Sequence, residues 1–504
     1  MHAVNFLLKQ YLALRMPRIL RMVNNPLGAQ QQIFGYLMQQ GSSTQYGKQY
    51  QLHSSTSYND FARCTPSTGY EGLKPFIERA QQGEANVLWP GRVKWFAKSS
   101  GTTGDKSKYI PLTHEAIYGN HVLGGKDLMA LYYNRFPHSR VFNGNSLLIG
   151  GSIPDRFAHS KAGDLSAVLI SQLPEWLQFF RQPARPVILM QNWEQKIEEI
   201  VKACKDRNMT CLSGVPTWML MILKRVAEVQ GKRTVAEVWP GLELFVHGGV
   251  SFTPYRRQFE ELIGKPICYL EAYNASEGFF AFSDLEGEGM LLHTGAGIFY
   301  EFIPLEELDK EQPSAVPLEG VQLNRNYAIV ISTTAGLWRY LPGDTVQFTS
   351  LKPYRIIITG RTKAFINVFG EEVMVHNTDR ALALTCAEFN CSVRDYTVGP
   401  VFLTAGSKGA HEWLVEFERQ PADLKAFAQR LDWHLQQLNS DYEAKRGGDM
   451  ALETLRMQTL PTGTFYKWLE ANNKLGGQHK IPRLSNQRTF IEQIRAFAVT
   501  IEQP

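Results

Sequence analysis

The apolar residues of this chain change period several times, and the changes mark out its elements. Between Ser146 and Glu271, short apolar runs alternate with segments of helical spacing. "SLLIGG" and then "VILM" read as strands. "NWEQKIEEIVKACKDR" repeats its apolar positions at helical spacing and opens on Asn192, a residue type that caps helix N-termini. "MTCLSGV" is strand-like, and "PTWMLMILKRVAEVQG" is helical, with Pro216 suited to its first turn and Gly231 to its stop. "LELFVHGG", "PYRRQFEELIG" and "PICYLEAY" continue as strand, helix, strand. This alternation predicts a mostly parallel sheet with helical faces, whose ligands gather at the carboxyl ends of the strands.

After about Met290 the pattern becomes strand-rich with short turns: "GIFYEFIPL", "YAIVISTTAGLWRYL", "TVQFTS" and "YRIIITG" predict an antiparallel subdomain. From Thr362 a smaller α+β unit follows, with helices near Asn377–Phe389, Ala422–Asn439 and Gly463–Asn473 and strands "YTVGPVFL" and "EWLVEFE". The expected domains are 1–361 and 362–504. The first 26 residues are basic and amphipathic, without an Asp or Glu before Asp60. Lys9 and Arg15 interrupt any secretory signal, leaving a transit peptide or, more simply, a helix packed on the main domain with Arg15, Arg18 and Arg21 outward.

Composition narrows the function classes. The 504 residues carry 53 Lys+Arg against 48 Asp+Glu, a net +5 too mild to argue for nucleic acid. No run reaches the roughly 18 apolar residues of a membrane span. The six cysteines form no C-x-x-C pair and read as reduced thiols of a soluble, cytoplasmic protein.

Five stretches hold the candidate chemistry. "KSSGTTGDKSK" lies in a turn between strands; "GDKS" imitates a Walker loop, but the spacing is wrong and a strand follows. The turn can still wrap a pyrophosphate with hydroxyls, amides and lysines, or be a solvated hairpin. In "EAYNASEGFF", Tyr273 suits stacking on a base, Ser276 a phosphate or carboxylate oxygen, and Glu277 Mg²⁺; a capped surface turn is the plain alternative. "LWRYLPGDTVQF" offers Asp344 to a ribose, or is simply a hairpin. In "ITGRTKAFINVFGEEV", Arg361 marks the change of domain, and "GGQHKIPRLSN" presents Lys480 and Arg483 from the smaller one.

Taken in order, these stretches resemble the adenylate-forming superfamily over nearly the whole chain. Within it, "KSSGTTGDKSK", "HGGVS", "YNASEG", "YLPGD" and "QHKIPR" resemble the acyl acid–amido synthetases of the Gretchen Hagen family, known from auxin-conjugating plant enzymes. The resemblance implies an α/β adenylate-forming fold: a large N-terminal domain with mixed sheets and a β-subdomain, and a small mobile α+β lid. It implies ATP and Mg²⁺, with Ser99, Ser100, Gly101, Thr102, Thr103, Gly104 and Lys108 at the phosphates. Gly248, Gly249, Ala272 and Tyr273 would form the adenine slot, with Ser276 and Glu277 at the α-phosphate and Mg²⁺. Asp344 would hold the ribose, Arg361 would lie at the nucleotide, and Lys480 would be the lid lysine. Three residues depart from the pattern: Asn274 replaces a smaller residue, Pro342 stiffens the turn before Asp344, and His479 stands where plant members carry tyrosine. The expected partners are a small carboxylic acid and an amino acid or CoA, with no nucleic acid and no membrane. Tyr132, Tyr133, Trp176, Phe179, Phe180 and Trp218 would line an acyl pocket or lie in plain core.

Overall fold

The computed structural model describes every residue except 1, 100–107, 154, 191, 286, 309, 311–312, 363–364, 367–370, 372, 403–408, 447–451, 473–480 and 503–504. The chain forms two units. One is Met1–Val250 with Glu260–Ile357; the other is Ser251–Phe259 with Ile358–Pro504.

The first unit opens on helices α1 (His2–Ala13) and α2 (Met16–Asn24). They lie on the main body, since Asn5 accepts a hydrogen bond from the Tyr133 hydroxyl at 2.7 Å. Arg18 and Arg21 are exposed, but Arg15 turns inward onto buried Asp127, which also contacts His293 Nε2 at 3.1 Å. The outward reading of Arg15 therefore fails, because the break between the two helices places it over a buried carboxylate. Strands β1 (Trp95–Ser99) and β2 (Lys108–Leu112) pair antiparallel, with Ser99 opposite Lys108. Thr113 then caps the next helix, its Oγ1 accepting from Ala116 N at 3.0 Å. That helix passes through a π-helical turn, Ile117–His121, before α3 (Val122–Arg135).

The predicted alternation follows as β3 (Asn145–Leu148), α4 (Trp193–Cys204), β4 (Met209–Gly214), α5 (Pro216–Val229), β5 (Leu244–His247), α6 (Arg256–Ile263) and β6 (Cys268–Ala275). Asn192 caps α4 by accepting from Gln195 N at 2.8 Å. "VILM" is no strand: Arg185–Ile188 is a short helix whose Pro186, with φ preset for a first helical turn, stands at its start.

Next come β7 (Gly278–Phe282), β8 (Met290–Leu292), β9 (Ile298–Pro304), β10 (Asn326–Thr333), β11 (Asp344–Leu351) and β12 (Tyr354–Arg361). These strands form no separate sheet. With the parallel strands they make one twelve-stranded sheet, ordered β9-β10-β11-β12-β8-β7-β6-β5-β4-β3 between the short edge strands Val316–Pro317 and Arg181–Gln182. Strands β3 to β6 are parallel, and β6 turns back on β7, so the β6–β7 hairpin is where the sheet changes sense. Its core side chains, among them Leu147, Leu212 and Phe245, are fully buried, each stabilising the unit by roughly 1.5–3 kcal/mol.

The second unit carries α7 (Val375–Glu388), β13 (Ser392–Val401), β14 (Ala410–Arg419), α8 (Leu424–Leu438), β15 (Arg456–Leu460), α9 (Thr464–Ala471) and α10 (Thr489–Glu502). Strand β14 is central, antiparallel to β13 and parallel to β15. Tyr396, Trp413, Phe417 and Phe427 fill the space beneath the helices. None of the six cysteines is in a disulfide, and among the described residues no helix is long and apolar enough to cross a membrane.

Candidate functional site

The hairpin joining β6 to β7 is tight. Ala275 pairs with Gly278 and Asn274 with Phe279, leaving Ser276 and Glu277 as a two-residue loop. One residue before Asn274, buried Tyr273 donates its hydroxyl to Asp344 Oδ2 at 2.7 Å. The hydrogen bond holds the ring that the sequence offers to a base beside the carboxylate it offers to a ribose. Ser276 is 3% exposed, and its Oγ has no hydrogen-bond partner among the described residues. A hydroxyl left so costs roughly 1–3 kcal/mol of desolvation unless a ligand completes it. Glu277 beside it is half-buried.

Gly248 and Gly249 follow β5 directly. A Cβ on Gly248 would sit 2.2 Å from Ala272 O, so only glycine lets this loop lie against β6. Gly249 takes φ +84°, the left-handed region that favours glycine. Gly248 therefore lies tight against Ala272, the residue before Tyr273. Sequence reasoning passed over Glu271. In register, Gly214, His247 and Glu271 form a row across β4, β5 and β6 at the carboxyl edge of the parallel strands. By strand alternation Glu271 shares the face of Tyr273. Burial pushes its carboxyl up to about 7. A half-buried carboxyl in this row is suited to an amino group of a ligand.

Other predicted residues fall in several places. Ser99 and Lys108 flank the turn as facing ends of β1 and β2. Ser100, Gly101, Thr102, Thr103, Gly104 and Lys480 lie outside the described residues. Lys98, in the same motif, is held by Asp155 at 2.9 Å, and Arg361 ends β12, half-buried. Tyr132 and Tyr133 are plain core beneath α1, and Phe179 is exposed.

Arg483 is not presented to a ligand. Its guanidinium is paired with Asp395, donates to Tyr396 O at 3.1 Å and Tyr255 Oη at 2.7 Å, and lies 4.4 Å from the Tyr396 ring centre. Tyr396 in turn donates to Asp379 at 2.6 Å. Burial raises both carboxyls, and although it also acts against the arginine's charge, Asp395, Tyr255, Tyr396 and Asp379 hold Arg483 well above the ordinary value. The sequence signal misled because a cation in a Gly-rich motif looks the same whether it meets a phosphate or a carboxylate of its own chain.

The hairpin's outer support was also missed. His121 Nδ1 lies 2.8 Å from Asn274 Oδ1, and Asn120 bonds the backbone of Phe279. A lone "NH" inside an apolar helix carries no signal of that placement.

Three segments match domains of one family end to end: its N-terminal domain over residues 15–267, its central domain over 291–361 and its C-terminal domain over 376–489. The chain belongs to the GH3 family. Among curated proteins, this GH3 chain is similar to the indole-3-acetic acid-amido synthetase GH3.4 of Arabidopsis thaliana, at 22% identity over 91% of this chain and 89% of that one. Among solved structures it is similar to the GH3.15 acyl acid amido synthetase, with TM-score 0.76 at 14% identity over 97% of this chain and 96% of that one. It shares its fold with a 2-hydroxyisobutyryl-CoA ligase solved in the postadenylation state with 2-HIB-AMP, with TM-score 0.60 at 13% identity over 94% and 91%. The α/β fold of this chain is the one these two enzymes share.

Proposed function

We propose that this GH3 protein is an ATP-dependent acyl acid–amido synthetase. The reading rests on one arrangement: Tyr273 tied to Asp344, with the unpartnered Ser276 hydroxyl and Glu277 on the adjoining loop. Base, ribose and α-phosphate recognition then come from one hairpin and the strand end facing it. A carboxylate oxygen attacks the α-phosphorus of ATP and pyrophosphate leaves. The neutral amine of an amino acid attacks the acyl carbon, AMP leaves, and the nitrogen's extra proton goes to solvent. The first step turns a poor acyl donor into one with a good leaving group. Such chemistry needs positioning and charge neutralisation more than covalent help from the protein.

Within this reading Tyr273 and the Gly248–Gly249 loop hold the adenine, and Glu271 accepts its exocyclic amine. Ser99, Ser100, Gly101, Thr102, Thr103, Gly104 and Lys108 grip the phosphates, with Arg361 at the nucleotide. Glu277 is the residue that would hold Mg²⁺; a single carboxylate suits that ion, which takes its remaining ligands from water and phosphate oxygens. Bound there, the ion would offset phosphate charge. Lys480 would likewise offset phosphate charge. Six cysteines outside any disulfide fit a reducing, cytoplasmic setting.

The deciding assay is carboxylic acid-dependent exchange of labelled pyrophosphate into ATP across a panel of acids. Exchange with at least one acid, and an amide product by mass when amino acids are added, is the expected result. Nucleotide binding without exchange would make the chain a non-catalytic relative. A thioester with CoA and no amide would make it an acyl-CoA ligase.

A further inference from the structure

The π-helical turn Ile117–His121 ends on two polar residues that are almost wholly buried, Asn120 at 2% exposure and His121 at 3%. Buried polar side chains in an apolar helix need partners, and both find them on the same hairpin. Asn120 Oδ1 accepts from Phe279 N at 2.7 Å, while its Nδ2 donates to Phe279 O at 3.2 Å and to Ala296 O at 2.7 Å. The side-chain amide thus stands in for a neighbouring strand, satisfying both backbone groups of Phe279. His121 engages the opposite strand, its Nδ1 at 2.8 Å from Asn274 Oδ1. An oxygen acceptor there requires the proton on Nδ1.

Asn274 and Phe279 are cross-strand partners, and the pair directly flanks Ala275–Gly278. The π-turn therefore holds one strand by its side chain and the other by its main chain, two residues on either side of Ser276 and Glu277. The local sequence is cut to fit this clamp. A Cβ on Gly278 would meet Ile298 Cδ1 at 2.5 Å, and one on Gly124 would meet the Phe279 ring at 2.4 Å. An inserted residue in a helix re-aims the side chains around it, and such turns recur at functional sites. Asn274 is thereby explained: it is the half of a pair whose other half is His121. Burial holds the imidazole neutral down to about pH 4, although the Asn274 bond pulls the other way. Asn274 thus faces the same donor across the neutral range.

We infer that Asn120 and His121 are positioning residues for the adenylation step: through Phe279 and Asn274 they set the two-residue turn that presents Ser276 and Glu277 to the α-phosphate. The inference rests on the synthetase reading for its catalytic consequence, but the clamp has a readout of its own. A positional error of about 1 Å at a reacting centre costs up to about a hundredfold in rate.

The test uses the full-length protein and the variants H121A, H121N, N274A and H121A/N274A. Asn at position 121 can place an amide N–H near the lost Nδ1–H. In H121A the turnover of acid-dependent pyrophosphate exchange should fall about tenfold with KM for ATP changed by less than about threefold. N274A should match it, the double variant should be no slower than either single one, and H121N should recover most of the rate. Amide hydrogen exchange over Ala275–Phe279 should quicken in H121A and not in H121N. Unchanged turnover in fully folded H121A, or additive losses in the double variant, would overturn the positioning role. Absence of exchange in the wild-type protein would instead sink the synthetase reading, and hydrogen exchange would still decide the clamp. Unaltered protection of Ala275–Phe279 in H121A would end that part as well.

Discussion

The hairpin around Ser276 and the cluster around Arg483 are both built from buried polar groups, and both come from motifs that suggest contact with a nucleotide. They are closed in opposite ways. Arg483, Asp395, Tyr396, Asp379 and Tyr255 bond to one another within the second unit. At the hairpin Ser276 Oγ has no partner among the described residues, and Glu271 carries a raised carboxyl with burial as its only cause. A polar cluster that satisfies itself has finished its work when the chain folds. One left open retains a desolvation cost that a ligand removes, so incompleteness separates a binding site from a polar core more reliably than residue type does.

The contrast predicts different failures. The largest effect is expected at Arg483: R483M leaves the half-buried Asp395 without its cation and the buried Asp379 without the nearby positive charge, and urea unfolding should show a loss of about 3–5 kcal/mol. Unchanged stability with lost activity would mean that Arg483 acts on substrate. Next is the pH dependence set by Glu271, whose carboxyl titrates near 7 in the folded protein against an ordinary 4.5. The folded state holds that proton more tightly, so the contribution is fully favourable below about 4.5 and is lost as pH rises through about 7. The change amounts to about 3 kcal/mol and should be absent in E271Q. A slope unaltered in E271Q would assign it to another group.

At Glu277 the sign of the contrast reverses. E277A should slow acid-dependent pyrophosphate exchange about a hundredfold, a larger effect than its change in unfolding free energy. A wild-type rate in that variant removes the phosphate and metal role from the loop. The smallest change is S276A: removing an unpartnered hydroxyl should leave stability equal or raise it by about 1 kcal/mol, while exchange slows about tenfold. A loss of stability in S276A would show that the hydroxyl already serves the fold.

Much of this was legible along the chain. Asn192, Pro216 and Gly231 mark helix ends through chemistry confined to a few neighbouring residues, and helices α4 and α5 start and stop there. "VILM" misled because a four-residue apolar run carries no period, and Pro186 decided for a helical turn. Arg15 looked outward because its partner, Asp127, lies 112 positions away. The strands after Met290 were legible one by one, but not their continuation of the parallel sheet, since the joining hairpin's pairing is a property of both halves together.

The order of elements, their caps and the motif chemistry are local matters, and residue types a few positions apart settle them. Which polar groups meet is not local. Tyr273 reaches Asp344 across 71 positions, and Asn274 reaches His121 across 153. Arg483 is taken up by partners 87 and 228 positions away. Each such pairing fixes whether a side chain has a free valence left for a ligand, and that depends on the packing of distant strands and helices, where desolvation leaves a polar group either satisfied or waiting.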